Sequence, residues 1–350
     1  MSVRGFASDN HAGAHPEVLE ALVAANDGHA GSYGADDWTA RAEELFRAHF
    51  GPEARGFCVF NGSGANVAAI DALTGPHDAV ICTDVAHMHV DECGAPERLA
   101  GTKLLTVSTE HGKLGPDDLL RWEANRGDEH RVQPRLVSIT QATELGTVYT
   151  LEETRALADT AHELGMLVHV DGARLANAAA ALDASLAALT TDAGVDAVSF
   201  GGTKNGLVVG DAVVFCRPGL AADFSFTRKQ MLQLASKMRF ISVQFEALLG
   251  GDLWLQSARH ANAMAARLAD AAAAVDGVEI SHPVEANAVF ARLPRAAIDR
   301  LLAELPGEHP FYVWDESADE VRWMCAWDTA PEDVDEFAAA VATAVRGATG

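Results

Sequence analysis

Along the first two-thirds of the chain, short apolar runs alternate with longer segments in which apolar residues recur at helical spacing. The runs Gly56–Phe60, Ala79–Thr83, Thr102–Val107, Arg135–Thr140, Met166–Asp171, Ala197–Gly201 and Asp211–Cys216 predict strands. Between them, Ala65–Leu73, Pro116–Asn125 and Leu151–Leu164 predict helices, the second opened by a proline, which needs no N–H at a helix start. Asn61-Gly62-Ser63-Gly64 reads as a loop between strand and helix. This alternation predicts βαβ units and an α/β fold with a mainly parallel sheet covered on both faces. From Asp223 to Val275 the pattern is mostly helical, including the alanine-rich Ala258–Val275. An earlier alanine-rich stretch, Ala176–Ala188, also reads as helix. After Gly277 the pattern changes: strand-like Val278–Ser281, Ala288–Leu293, Phe311–Trp314 and Val321–Ala326 accompany helices near Arg295–Glu304 and from Pro331. The expected division is a large domain over 16–250 and a small α+β domain over 251–350.

Composition narrows the classes. With 350 residues, 49% of them hydrophobic, the chain has enough apolar surface for a sizeable core. Acidic side chains outnumber basic ones 50 to 26, a formal net charge of −24, which argues against nucleic acid or an anionic membrane as partner. Five cysteines, an odd number with no C-x-x-C spacing, argue against a disulfide framework or a zinc knuckle and fit a reducing cytoplasm. No apolar stretch follows the charge of Met1–Gly5, so no signal peptide is expected, and no apolar run approaches a membrane span.

Four segments carry candidate chemistry. In Val168-His169-Val170-Asp171-Gly172-Ala173-Arg174, Asp171 ends a buried strand, where α/β sheets bind ligands and where a carboxylate needs a cationic partner; capping the next helix is its ordinary alternative use. In Gly201-Gly202-Thr203-Lys204-Asn205-Gly206, Lys204 follows a strand and is flanked by glycines. A lysine in such a turn is usually solvated, but desolvation over a sheet edge makes its amine nucleophilic. Lys204 lies 33 residues after Asp171, room for one helix and one strand, so the two can sit on adjacent strand ends. Asn61–Gly64 offers backbone N–H groups at a helix start to a phosphate, although it is neither a Walker loop nor G-x-G-x-x-G. In Asp84-Val85-Ala86-His87-Met88-His89, His87 can stack on a flat ring or act on a hydroxyl near neutral pH. A metal pair of His87 and His89 with Asp84, Asp91 or Glu92 is the weaker use of the same residues.

In this order, together with Phe6-Ala7-Ser8-Asp9-Asn10, Gly31-Ser32-Tyr33-Gly34-Ala35-Asp36-Asp37, Gln141-Ala142-Thr143-Glu144 and Val321-Arg322-Trp323, the segments resemble the threonine aldolases over almost the whole chain. The low-specificity and phenylserine-cleaving members look most similar. The resemblance implies a fold-type-I pyridoxal-phosphate (PLP) enzyme. It would cleave β-hydroxy-α-amino acids such as threonine, allo-threonine or phenylserine to glycine and an aldehyde. It implies that Lys204 bonds the cofactor covalently, Asp171 pairs with its ring nitrogen, and Gly62, Ser63 and Gly64 hold its phosphate. His87 would stack on the ring, Arg174 would approach the ring or the substrate, and Ser8 and Arg322 would bind the substrate carboxylate. Tyr33, Arg239 and Lys229 would contribute near the cofactor, across an interface in a homodimer or homotetramer. The segment 1–15 would reach the active site.

One departure changes the acid–base question. Many relatives carry a histidine near the substrate hydroxyl where this chain has Glu144, so the base is His87, Glu144 or a water. No metal is expected. A β-eliminating lyase or an aminotransferase would share both fold and lysine, and a non-catalytic PLP-binding protein would share the fold.

Overall fold

The structure, a computed structural model, describes residues 4–304 and 309–349. Seven strands form the large sheet: β1 (Arg55–Val59), β2 (Asp78–Thr83), β3 (Lys103–Val107), β4 (Gln133–Thr140), β5 (Leu167–Gly172), β6 (Ala197–Phe200) and β7 (Asp211–Phe215). Their order is β1-β7-β6-β5-β4-β2-β3. From β3 through β2, β4 and β5 to β6 every pairing is parallel, while β7 runs antiparallel to both β6 and β1. The apolar runs explain why the sheet is covered twice. Ile81, Ile139, Val170, Phe200 and Val214 enter one core; Val80, Cys82, Leu136, Leu167, Val213 and Phe215 enter another. Successive strand residues point to opposite faces, so a strand buried on both sides needs unbroken apolar sequence.

A second, antiparallel sheet of order β10-β11-β9-β8 uses β8 (Glu279–Ile280), β9 (Ala288–Arg292), β10 (Tyr312–Asp315) and β11 (Glu320–Met324). Its core gathers Leu268, Val289, Ala291, Ile298, Val321, Trp323, Phe337 and Val341. The helix Leu253–Ala273 belongs to both units: Trp254 and Ala258 pack in the large core, Ala265, Leu268 and Ala272 in the small one. The N-terminal segment is laid along the small sheet. Phe6 N–H donates to the Pro310 carbonyl at 2.7 Å, and Met324 N–H donates to the Phe6 carbonyl at 2.8 Å. Among the described residues no helix is long and apolar enough to cross a membrane.

Some expected elements differ. Asn61–Gly64 is not a loop: the helix runs Gly62–Leu73, and Asn61 caps it by accepting the Gly64 N–H at 2.7 Å. Pro116–Asn125 divides into a helix Pro116–Leu120 and a 3-10 turn Glu123–Asn125; with Leu119 and Asn125 its buried anchors, little apolar surface holds a longer helix down. The stretch Ala176–Ala188 is interrupted at Asp183, whose φ of 47° ends the helix Leu175–Leu182 before a second, Leu186–Leu189. Helices Pro16–Ala24 and Asp37–Phe50, absent from the sequence expectation, place Val18, Phe46 and Phe50 in the large core.

Candidate active site

The parallel strands β2, β4, β5 and β6 end side by side, and each delivers a candidate side chain at or just past its C-terminal end. His87 follows β2, Glu144 follows β4, Asp171 and Arg174 come from β5, and Lys204 follows β6. Thr140, Asp171 and Ser199 are in register across β4, β5 and β6. Two adjoining cavities of about 240 and 200 Å³ lie over these ends; both are lined by Asn10, Gly62, Ser63, His87, Asp171 and Lys204. Ser8, Glu144, Arg174, Trp314 and Arg322 line the second alone, so the small sheet supplies one wall. Together they match an ordinary small-molecule site in size and position.

Lys204 sits on a one-turn 3-10 helix, Thr203–Asn205, whose approach is fixed by close backbone contact. A Cβ on Gly201 would lie 2.4 Å from the Ala173 carbonyl oxygen, and one on Gly202 would lie 2.6 Å from that of Gly210. The buried Asp211 carboxylate accepts the N–H groups of Gly202 at 2.8 Å and Thr203 at 3.3 Å, and so orients the turn. Among the described residues nothing holds the Lys204 Nζ by a hydrogen bond. Burial and the Arg174 guanidinium lower its pKa, against the pull of Asp9, Asp171 and Asp211, so a larger share of neutral, nucleophilic amine is present.

Asp171 is buried at the end of β5. Its Oδ1 accepts the Ala173 N–H at 3.0 Å and its Oδ2 accepts Asn66 Nδ2–H at 2.8 Å. It does not cap the following helix, whose N-cap residue is Arg174. Arg174 is held in a bidentate pair with buried Asp9, Nε to Oδ2 at 2.7 Å and Nη2 to Oδ1 at 2.9 Å. Burial pushes the Asp9 carboxyl up, but Arg174 and Lys204 outweigh it and hold it at about 2. Arg322 differs from Arg174. Its guanidinium lies over the rings of Trp314 and Tyr312 and its Nη2 donates to the Ala7 carbonyl at 3.1 Å. Its Nε is buried with no partner, and among the described residues no carboxylate pairs with it. A half-buried guanidinium without a counter-ion at a cavity wall is a receptor for an anion. Ser8 lies beside it with its Oγ accepting the Asn10 N–H at 3.2 Å, which leaves the hydroxyl proton to donate.

His87 Nδ1 lies 2.9 Å from buried Glu92 Oε1, and that contact raises the imidazole pKa despite burial and nearby Lys204. Glu144 Oε1 accepts the His87 backbone N–H at 2.8 Å and the Thr140 hydroxyl at 2.7 Å, while its Oε2 is buried without a partner. Burial pushes the Glu144 carboxyl up. His89 is exposed and lines neither cavity, and among the described residues no group of three or more His, Cys, Asp or Glu is arranged to hold a metal.

Of the residues singled out from sequence, Lys204, Asp171, His87, Glu144, Gly62, Ser63, Arg174, Ser8 and Arg322 converge on the cavities. Gly64 does not line them, and its N–H is taken by Asn61. Tyr33, Lys229 and Arg239 also stand apart. Exposed Tyr33 lies under Lys229 Nζ at 4.8 Å, and Arg239 packs over Trp38 and Phe240 and donates to the Asp27 and Gly28 carbonyls. Sequence reasoning missed Asp9, Asp211, Asn66 and the place of Glu92 beside His87. Asp9 lies inside the Phe6–Asn10 motif and Asn66 meets Asp171 across 105 positions, whereas Glu92 and Asp211 lie close in sequence to the groups they bind but at no spacing that marks that use.

The site also fits PLP on its own chemistry. An unbonded, desolvated amine faces the buried Asp171 carboxylate, which suits a protonated ring nitrogen. The first N–H groups of the helix Gly62–Leu73 line the cavity without helical partners, as a phosphate requires.

Comparison with known proteins agrees with this geometry. Residues 5–295 match the family described as beta-eliminating lyase. A low specificity L-threonine aldolase of Pseudomonas aeruginosa is 47% identical over 334 residues, covering 95% of each chain. A second, from a Pseudomonas species, is 45% identical over 335 residues, covering 95% of this chain and 96% of that protein. The solved threonine aldolase of Leishmania major superposes with a TM-score of 0.91 at 29% identity, covering 97% of this chain and 99% of that one. The chain therefore belongs to the beta-eliminating lyase family and, within it, to the threonine aldolases.

Proposed function

We propose that this protein is a PLP-dependent, low-specificity L-threonine aldolase that splits threonine, allo-threonine and related β-hydroxy-α-amino acids such as phenylserine into glycine and an aldehyde. The observation that carries this reading is the convergence on one cavity of Lys204, Asp171 and the Arg322 guanidinium, with which no carboxylate among the described residues pairs. Lys204 anchors the cofactor, Gly62 and Ser63 offer N–H groups to its phosphate, and Asp171 holds the proton on its ring nitrogen. Bound this way, the cofactor supplies the electron sink that accepts the pair from the broken Cα–Cβ bond. Arg322 and Ser8 bind the substrate carboxylate, and a planar guanidinium fixes it in two directions, which sets the orientation of the bond to be broken. Arg174, held by Asp9, keeps a positive charge at the cavity wall. His87 takes the β-hydroxyl proton, directly or through a water, because its Nδ1 is anchored and its Nε2 end is free. Glu144 fixes the His87 backbone and lines the same cavity, with its Oε2 unpartnered.

The remaining parts extend the same reading. The large unit spans 16–250, the small one 251–350, and 1–15 completes the site. Tyr33, Lys229 and Arg239 serve the cofactor of a second copy in a homodimer or homotetramer, which is supported by the exposure of Tyr33 and Lys229 and by the separation of all three from the cavity of their own chain. Five free cysteines suit a cytoplasmic setting. The deciding experiment incubates the purified protein with threonine, allo-threonine and phenylserine, with and without added PLP, and identifies the products. Glycine with acetaldehyde or benzaldehyde is expected. Ammonia with a keto acid would instead mark a β-eliminating lyase, and no turnover of any of the three would overturn the assignment.

A further inference from the structure

Glu92 is a buried carboxylate for which the reaction has no direct use. It lies just beyond the short helix His87–Val90, before a turn in which Cys93 and Gly94 adopt φ of 53° and 69°. Its side chain is fully enclosed, and burial pushes its carboxyl up. Burying a carboxylate costs several kcal/mol unless the charge is answered. Here Oε1 answers two groups at once: His87 Nδ1 at 2.9 Å and Asn66 Nδ2 at 2.8 Å. The same Asn66 nitrogen lies 2.8 Å from Asp171 Oδ2, so its two N–H bonds clamp two carboxylates. The result is a chain His87–Glu92–Asn66–Asp171 that joins the candidate base to the partner of the ring nitrogen. Other charged groups act on it from neighbouring elements: Lys204 and Asp171 on His87, and Asp171 on Glu92, while Glu144 holds the His87 backbone.

We propose that Glu92 is a positioning residue that fixes the His87 tautomer with its proton on Nδ1 and Nε2 free toward the cavity, and that Asn66 ties this setting to Asp171. A neutral imidazole that donates from one nitrogen must accept at the other, so an anchored Nδ1–H makes Nε2 the basic atom. A carboxylate behind the ring also stabilises the imidazolium that forms when Nε2 takes a proton, the role an aspartate plays behind a catalytic histidine. The use of that Nε2 on the substrate hydroxyl rests on the aldolase reading; the tautomer does not.

The test records imidazole 15N shifts of the histidine-labelled, full-length holoenzyme across pH, with His87 assigned by comparison with His87→Gln. The expected wild-type signals place the proton on Nδ1 and give a titration above the ordinary histidine value. In Glu92→Gln that titration moves down, and the acid limb of kcat/KM moves to lower pH with it. The plateau kcat falls by about tenfold while KM changes little. Glu92→Asp restores part of both. A folded Glu92→Gln protein with unchanged His87 titration and unchanged pH profile overturns the proposal. So does a wild-type proton on Nε2, a result that needs no variant to fold. If the wild type cleaves no β-hydroxy amino acid while the shifts behave as expected, the aldolase reading fails and the positioning role stands.

Discussion

The cavity over β4–β6 and the Tyr33–Lys229–Arg239 cluster were both singled out from sequence, and the fold treats them oppositely. In the cavity, groups at strand ends are bonded to partners brought in from other elements: Arg174 to Asp9, His87 to Glu92, Asp171 to Asn66. In the cluster, Lys229 and Arg239 lie over aromatic rings, and Arg239 donates to backbone carbonyls at 3.3 and 3.4 Å. A sheet edge fixes side chains to within a fraction of an ångström because its strands are hydrogen-bonded neighbours. Side chains at a surface gain such precision only against another surface. The first region is held together by bonds within one chain, whereas the second would, on the proposed reading, be one half of a contact with another copy.

Three changes break or sharpen this contrast. Lys204→Ala removes the one amine at the centre of the cavity. Turnover should fall by at least ~10³-fold, and the borohydride-reducible visible chromophore should vanish. Full activity with an unchanged chromophore would show that the cavity is not the site. Asp9→Asn leaves Arg174 buried without its counter-ion and should cost about 3 kcal/mol of stability in urea unfolding. The sign with pH is fixed. The folded Asp9 pKa of about 2 lies below its ordinary 3.8, so its contribution is present above pH 4 and is lost as the pH falls toward 2. The variant should lack that part of the acid loss; an unchanged pH dependence would mean the pair contributes nothing.

The smallest effect concerns the surface cluster. Arg239→Ala should weaken PLP affinity by roughly tenfold, the worth of one charge-assisted hydrogen bond, with the fold intact by circular dichroism. Mixing it, after subunit exchange, with the inactive Lys204→Ala protein sharpens the contrast. If each site draws on both copies, one site per mixed dimer is fully native, and affinity recovers in those sites. No recovery would place Arg239 in the service of its own chain.

Much of this was legible in the sequence. Unbroken apolar runs required strands covered on both faces. The spacing of Asp171 and Lys204 allowed adjacent strand ends, and β5 and β6 do pair in parallel. What misled was local chemistry with two uses. Asn61-Gly62-Ser63-Gly64 reads as a loop because glycine breaks helices, yet a capping asparagine starts a helix there. Gly64, apparently equivalent to Gly62, is spent on that cap. The helices before residue 55 escaped notice, although Val18, Phe46 and Phe50 carry the large core.

The sequence by itself determined the sheet, its double cover and the placing of Asp171 and Lys204 at adjacent strand ends, because these depend on period, order and short spacing. Only the tertiary structure decided how the charges are partnered. Asp9 meets Arg174 across 165 positions, and Asn66 meets Asp171 across 105. It also left Arg322 without a counter-ion among the described residues and set Glu92 behind His87. A buried charge takes its meaning from whichever group shares its low-dielectric pocket, and that neighbour is chosen by packing, not by position in the chain.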